Sequence, residues 1–585
     1  MPEATPGREP VQIVELRQPL CENVFGVSPC TATGDASTKC YNTRATCRDT
    51  ANFALGAPLR LFFARGHVAE QVIDGAPYII PSLISVSTAP TRISLAGANP
   101  DAAGLGNRAV CTITLSDHDH SDRRVDPYQA ERPWDTLDGT RGTFWSRWMV
   151  RNLYRQGIEI RVYEGYAGQA LSDMVVRRYF LEDVTGPAGG QVTITGQDIL
   201  ARVEARKAQA PAASPGKLSA GIDSSVTTID TQGCTTADYP ASGVIRINDE
   251  IMTYGSRSAI TGGVQFSSVV RAQFNTVARS HAADDTVQRC LQYTAARVDD
   301  IAEDLLTTHA GVNPTWLDLA GWEDEVDEHL SLALLTALIT APTGVAELLS
   351  DLSVQAQFNI WWDERDAVVR LRAIRGLTAQ PTLLTDATHI LADSFALNEK
   401  PRERASQVWV YWGRRDYIKG TDDPKSYASL SISADLESET PELYGEASIR
   451  KVFGYWLPTG ALAETAASKI ITRFSVVPRE CTFRMDAKDR AIWVGDTVRI
   501  SHYLDVDQFG NRRVRNWTII SAEEVVPGEV VQYVAEDTTL YGRVGFIMAD
   551  GSADYPGAAL APFRSAYVGN AAGLLSDGAQ SARIN

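Results

Sequence analysis

Through much of this 585-residue chain apolar residues recur at every second position, the spacing that lines one face of a β-strand. The alternation predicts strands in "AVCTITLSD" at 109–117, "IEIRVYEG" at 158–165 and "VVRRYFLEDV" at 175–184. "GPAGG" then turns the chain into "QVTITG" at 191–196, which reads as a hairpin. Between these strands, "DGTRGTFWSRWMVRNLYRQG" suggests a short amphipathic helix with Trp145, Trp148 and Leu153 on or near one face. A Pro, Ala, Ser and Gly stretch at 208–221 marks a boundary. Beyond it "SVTTID", "GVIRINDEIMTYGSR" and "GVQFSSVVRA" predict a small all-β unit, with apolar positions clearest at Val244, Ile245, Ile247, Ile251 and Tyr254.

The period then changes to helical. Val298, Ile301, Ala302, Leu305 and Leu306 form one stripe that Gly311 ends. A second stripe, Val345, Leu348, Leu349 and Leu352, starts after Pro342 with Thr343 as the expected N-cap. "FNIWWDERDAVVRLRAI" follows as a hairpin, so helix, strand, turn and strand make an α+β unit. Residues 400–545 return to strands, in "QVWVYWG", "RECTFRMD", "DTVRIS", "NWTIISAEEVV" and "VVQYVAED", spaced as in a small barrel or sandwich. Both ends of the chain lack such patterning. Residues 1–60 are rich in Thr, Cys, Asn and Gly and need staples to hold a fixed structure, and the Ala, Gly, Ser and Asp tail is expected to order only against a partner.

Composition narrows the class. The chain is several times the usual domain length, its hydrophobic content of 44% and charged content of 22% are those of a soluble globular protein, and no apolar run nears the ~20 residues of a membrane span. "MPEATPGREPVQIVEL" has no basic segment followed by an apolar core, so synthesis in a cytoplasm, with cysteines starting as thiols, is expected. A formal charge of −17 argues against a broad basic face for nucleic acid. "WSRWMVRNLYRQ" and "YWGRRDY" alternate basic and aromatic residues as base-stacking surfaces do, but are more simply element faces carrying Arg stems.

Half of the eight cysteines, Cys21, Cys30, Cys40 and Cys47, fall in one stretch with the spacing C-x8-C-x9-C-x6-C. Structural zinc sites usually bring ligands in close pairs two to four residues apart, and none occurs here. An iron-sulfur cluster also takes four thiolates and tolerates longer loops, and two disulfides fit the gaps equally. Spacing alone leaves cluster, zinc and disulfides open. Cys111, Cys234, Cys290 and Cys481 lie in or beside strand patterns and are expected to be buried free thiols. In "SDHDHSDRR", His118 and His120 would share a strand face and could reach one metal, but spacing names no third ligand and a polar loop is the simpler reading. No HExxH, nucleophile elbow or phosphate-cradling glycine loop is present. Cys481 with His502 would resemble a thiol hydrolase pair, and Glu323 with Asp327 a carboxylate pair, yet strand alternation and chance account for both.

In chain order these parts resemble a known assembly. "LCENVFGVSPC…KCYNTRATCRDTANFALGAP" resembles the cysteine segment of lambda-type minor tail protein L, which in that family lies near the C-terminus of a smaller protein. "DPYQAERPWDTLDGTRGTFWSRWMVRN", "RRYFLEDVTGPAGGQVTITGQDIL", "GVIRINDEIMTY…VVRAQFNTVARSHAADD" and "TAPTGVAELLSDLSVQAQFNIWWDERDAVVRLRAI" are similar to successive domains of tail-tip hub proteins of siphophages and gene transfer agents. One departure is "RAQFNT", where the family pattern has Arg-Gly-Gln and Gly-Thr.

The resemblance implies a mainly β, multidomain fold with α+β: a cysteine-rich iron-sulfur arm at 1–60, a first hub β-barrel at 61–207, a small all-β insert at 216–290, an α+β domain at 291–375, a second hub β-barrel at 376–545 and a partner-ordered tail at 546–585. It implies a [4Fe-4S] cluster on Cys21, Cys30, Cys40 and Cys47, with zinc as the alternative, and no catalytic residues. It further implies a homotrimer at the virion tail tip, assembled in the host cytoplasm. Expected partners are distal tail, tape-measure and central tip or fibre proteins, with DNA passing through but not specifically bound. The alternative activity is a tail-associated cell-wall hydrolase.

Overall fold

The computed structural model describes residues 8–93, 105–119, 122–132, 142–204, 207–375 and 381–538, and the backbone of two short strands at 545–546 and 566–567. The fold is mainly β, with several sheets and more than one core. Among the described residues no helix is long and apolar enough to cross a membrane.

The first sheet has eight strands: β1 (Pro10–Gln18), β2 (Leu59–Ala64), β3 (Ile79–Ile80), β4 (Leu83–Ala89), β5 (Val110–Ser116), β6 (Glu159–Tyr166), β7 (Val175–Ala188) and β8 (Gln191–Gln197), in the order β3-β2-β1-β6-β7-β8-β5-β4. β5 to β8 fall where alternation places them, and the β7–β8 hairpin turns at Gly189 and Gly190, both at positive φ. The sheet curls so that Phe63 and Ile80 from one end share a core with Leu83, Ile113 and Ile194 from the other. Its terminal strands do not pair, so the expected closed barrel is instead an open, strongly coiled sheet. A two-residue β3 offers too little backbone to complete the ladder.

The arm expected over residues 1–60 is also different. "VQIVEL" belongs to β1, which pairs with β2 on one side and β6 on the other, and Val14 and Leu16 are core residues. The cysteine stretch is therefore a long excursion between two adjacent antiparallel strands. The helix Phe144–Arg151 buries Phe144, Trp145 and Trp148 in the same core, with Thr143 capping it. Leu153 lies beyond its end and is exposed.

Residues 217–289 form two four-stranded sheets around their own core, which includes Leu218, Ile229, Ile245, Met252 and Phe266. Next, Val298, Ile301, Ala302, Leu305 and Leu306 line the buried face of a helix ending at His309, with Gly311 at positive φ. The helix Val345–Ala356 buries the predicted stripe but takes Gly344, not Thr343, as its N-cap. The hairpin Phe358–Asp363/Val368–Ala373 packs beside it. The last part contains a six-stranded sheet, a three-stranded sheet and a helix that was not expected, Gly460–Phe474. The six-stranded sheet is also open, ending in the short strands Leu383–Thr385 and Ala396–Glu399. One core runs through this part and the α+β unit and takes in Ile93, Leu105, Phe180 and Ile199 from earlier in the chain.

Candidate metal centre

The cysteine excursion leaves β1 and returns to β2 through a closed mouth. Gly56 N donates to Leu20 O at 2.9 Å, Glu22 N to Ala54 O at 3.0 Å and Cys21 N to Asn42 O at 2.7 Å. Inside, tight turns aim the thiols inward: Cys30 N closes a turn onto Val27 O after Gly26, whose φ is +73°, and Cys47 follows the one-turn helix Arg44–Thr46. Cys21, Cys30, Cys40 and Cys47 consequently line one pocket, with Asn23, Asn42 and Asp49 at its wall. All four are half-buried free thiols.

Their chemistry is mutual. Burial pushes the Cys40 thiol up, the Asn42 backbone amide opposes this, and the other three cysteines push it further up, as expected of sulfurs close enough to repel when ionised. A shared cation would reverse that repulsion and hold all four as thiolates. Among the described residues, however, no three His, Cys, Asp or Glu side chains are grouped as ligands of a single metal ion.

Polar contacts fix the excursion, since between Cys21 and Cys47 only Phe25 and Thr43 are buried. Arg132 donates to Ala36 O, Lys39 O and Cys40 O at 3.1–3.3 Å and is held in turn by buried Asp126. The Tyr41 ring takes the Arg132 and Arg151 guanidiniums at 4.1 and 3.8 Å from its centroid. Thr43 Oγ1 donates to Arg151 O at 2.6 Å, and Phe25 N to Tyr128 Oη at 2.8 Å. Asp49 accepts from Thr31 N and from Asn52 Nδ2, and these bonds lower its carboxyl to about 2. Arg132, Tyr41 and Asp49 were not singled out from the sequence. Only the basic-aromatic alternation around Arg151 pointed toward this surface, and its partner is the Tyr41 ring.

The other candidates are not brought together. Cys111, Cys234, Cys290 and Cys481 are buried free thiols. Burial holds the Cys481 thiol far above its usual range and acidic Asp537, Glu480 and Asp505 add to the effect, while His502 stacks on Phe395 at 4.1 Å. A thiolate nucleophile is therefore disfavoured there. Asp327 is paired with Arg297 at 2.6 Å. His118 stacks on Phe144 and its Nδ1 lies 3.0 Å from Asp119 O; His120 lies outside the described residues. Arg147 and Arg151 both pair with Asp122.

No family model matches the chain, and no curated protein does. Among solved structures it is similar to the 43 kDa tail protein of prophage MuSo2 from Shewanella oneidensis, at 9% identity and TM-score 0.34 over 78% of this chain and 97% of that one. The tail protein from Neisseria meningitidis MC58 gives 10% identity and TM-score 0.34 over 78% and 98%. A chain of the native gene transfer agent particle gives 13% and 0.32 over 56% and 85%. At these values the likeness fixes neither fold nor role.

Proposed function

We propose that this chain is a structural hub of the tail tip of a long-tailed bacteriophage or gene transfer agent. It acts as a homotrimer that closes the distal end of the tail tube, joins distal tail, tape-measure and tip proteins, and opens for DNA. The observation that carries the reading is the convergence of Cys21, Cys30, Cys40 and Cys47 on one pocket, in the segment whose residues resemble the tail-tip cysteine segment. In this reading they hold a [4Fe-4S] cluster, which supplies four iron–thiolate bonds across a stretch with almost no core of its own. The protein's part is to place the thiols, through the closed mouth and the Arg132 and Tyr41 contacts, and to exclude other partners from them. The buried, acid-flanked Cys481 disfavours the thiol nucleophile that the wall-hydrolase alternative would draw on.

Immunogold labelling of intact particles tests the location. Label confined to the distal tail tip is expected, together with a trimer in sedimentation. Unlabelled tails and a monomeric protein would contradict the proposal.

A further inference from the structure

The three-stranded sheet of the last part buries one face and exposes part of the other. Its strands are Tyr427–Ala434 at one edge, Gln407–Arg414 in the middle and Ile449–Gly454 at the other edge. Val408, Val410 and Val452 are buried in one core with the helix Gly460–Phe474. The alternate positions look the other way. Register sets Ile432 opposite Trp409, Trp409 opposite Lys451 and Ile449 opposite Gln407, with Leu430 and Ala434 on the same side as Ile432. Leu430, Ile432 and Ile449 are 40%, 55% and 45% exposed, and Lys451 lies over the Trp409 ring at 5.8 Å. Among the described residues no strand pairs with the outer side of Tyr427–Ala434. A long edge strand that carries neither charge nor proline is unprotected against pairing.

The loop after this strand is acidic and apolar at once. Exposed Leu436, Leu443 and Tyr444 alternate there with Glu437, Glu442 and Glu446, and from Ser426 to Ile449 the chain carries no Lys, Arg or His. Hydrogen bonds hold the loop in shape: Glu439 accepts from Ser406 Oγ at 2.6 Å and from Gln407 Nε2 at 2.9 Å, and Arg404 Nη2 donates to Glu446 O at 3.0 Å. The Arg404 guanidinium, itself buried, lies 4.1 Å from the Tyr444 ring centroid. Among the described residues the Glu437, Glu442 and Glu446 carboxylates form no ion pair. We propose that the edge strand and this loop are a docking surface for an extended, cationic segment of another polypeptide, which adds as a strand and carries apolar side chains at alternate positions. Its main chain satisfies the open edge, its apolar side chains cover Leu430, Ile432 and Ile449, and its Lys or Arg residues meet carboxylates that lack a cation of their own. The same acids repel an anionic membrane surface. This strand and loop in a second copy would bring no positive charge to them.

None of this depends on the role proposed above. Fluorescence anisotropy of the full chain at physiological ionic strength, with a labelled synthetic peptide of alternating lysine and valine as long as the edge strand, tests it. A peptide with the same residues in two blocks controls for charge, and one with glutamate in place of lysine controls for shape. The alternating peptide should bind about tenfold more tightly than either, and hydrogen exchange should slow at 427–434 when it is bound. Ile432→Ser, which trims an exposed side chain and leaves the core intact, should weaken binding about tenfold. Glu437→Lys combined with Glu442→Lys should do the same and flatten the salt dependence. Equal binding of the blocked peptide, unchanged affinity in either variant, or exchange that slows elsewhere and not at 427–434 would overturn the proposal. So would sedimentation in which Ile432→Ser splits a wild-type oligomer, since a second copy would then occupy this face.

Discussion

Ala272 holds a backbone conformation that glycine adopts without steric cost. Its φ is +56°, and Phe274 and Asn275 follow at +53° and +62°, in the "RAQFNT" turn where the pattern this sequence resembles has glycine at the positions of Ala272 and Asn275. Asn tolerates this region and Ala does not. The turn holds because Glu250, fully buried, accepts from Ala272 N, Arg279 N, His281 Nε2 and both Nε and Nη2 of Arg271. Ala272→Gly is expected to stabilise the insert by about 1 kcal/mol, read as a higher midpoint in urea; a lower one would show the turn to be unstrained. At this scale the sequence was partly legible. The missing glycines flagged the turn, but Glu250 gave no signal, since a carboxylate that organises five donors looks in sequence like any other.

Among the elements, the cysteine excursion depends on groups distant in sequence. Arg132 lies about ninety residues from the three carbonyls it binds, and no local pattern announces such a contact. Arg132→Ala should cost the docked state about 2 kcal/mol of charged hydrogen bonding, seen as roughly thirtyfold faster protease cleavage within 21–47 and unchanged cleavage elsewhere. Equal rates would place the docking in Tyr41 and Thr43. Strands with strict alternation, such as "CTITL" and "TVRIS", were legible because one face meets a core. The helix Gly460–Phe474 was missed because its buried stripe is mostly alanine, Ala463, Ala466 and Ala467 with Ile470 and Phe474, a weak hydrophobic signal among strong strands. β1 was missed because its short alternation borders an unpatterned loop.

For the whole molecule, the mainly β, multidomain character was legible and the closure of its sheets was not. Whether a sheet closes rests on short edge strands, β3 and the strands at 383–385 and 396–399, which carry too few residues to show a period. The junction of the first and last sheets likewise joins residues as far apart as Arg8 and Asp486, paired at 2.9 Å. Such contacts tie the chain ahead of β1, and so ahead of the cysteine excursion, to the six-stranded sheet. Anaerobic purification of the full chain, followed by iron, acid-labile sulfide and zinc analysis, tests the central claim most directly. The account predicts close to four iron and four sulfide per chain, both lost when Cys30 and Cys40 are replaced by Ser. One zinc per chain with no sulfide, or no metal in a chain whose 21–47 stretch stays protease-resistant, would contradict it.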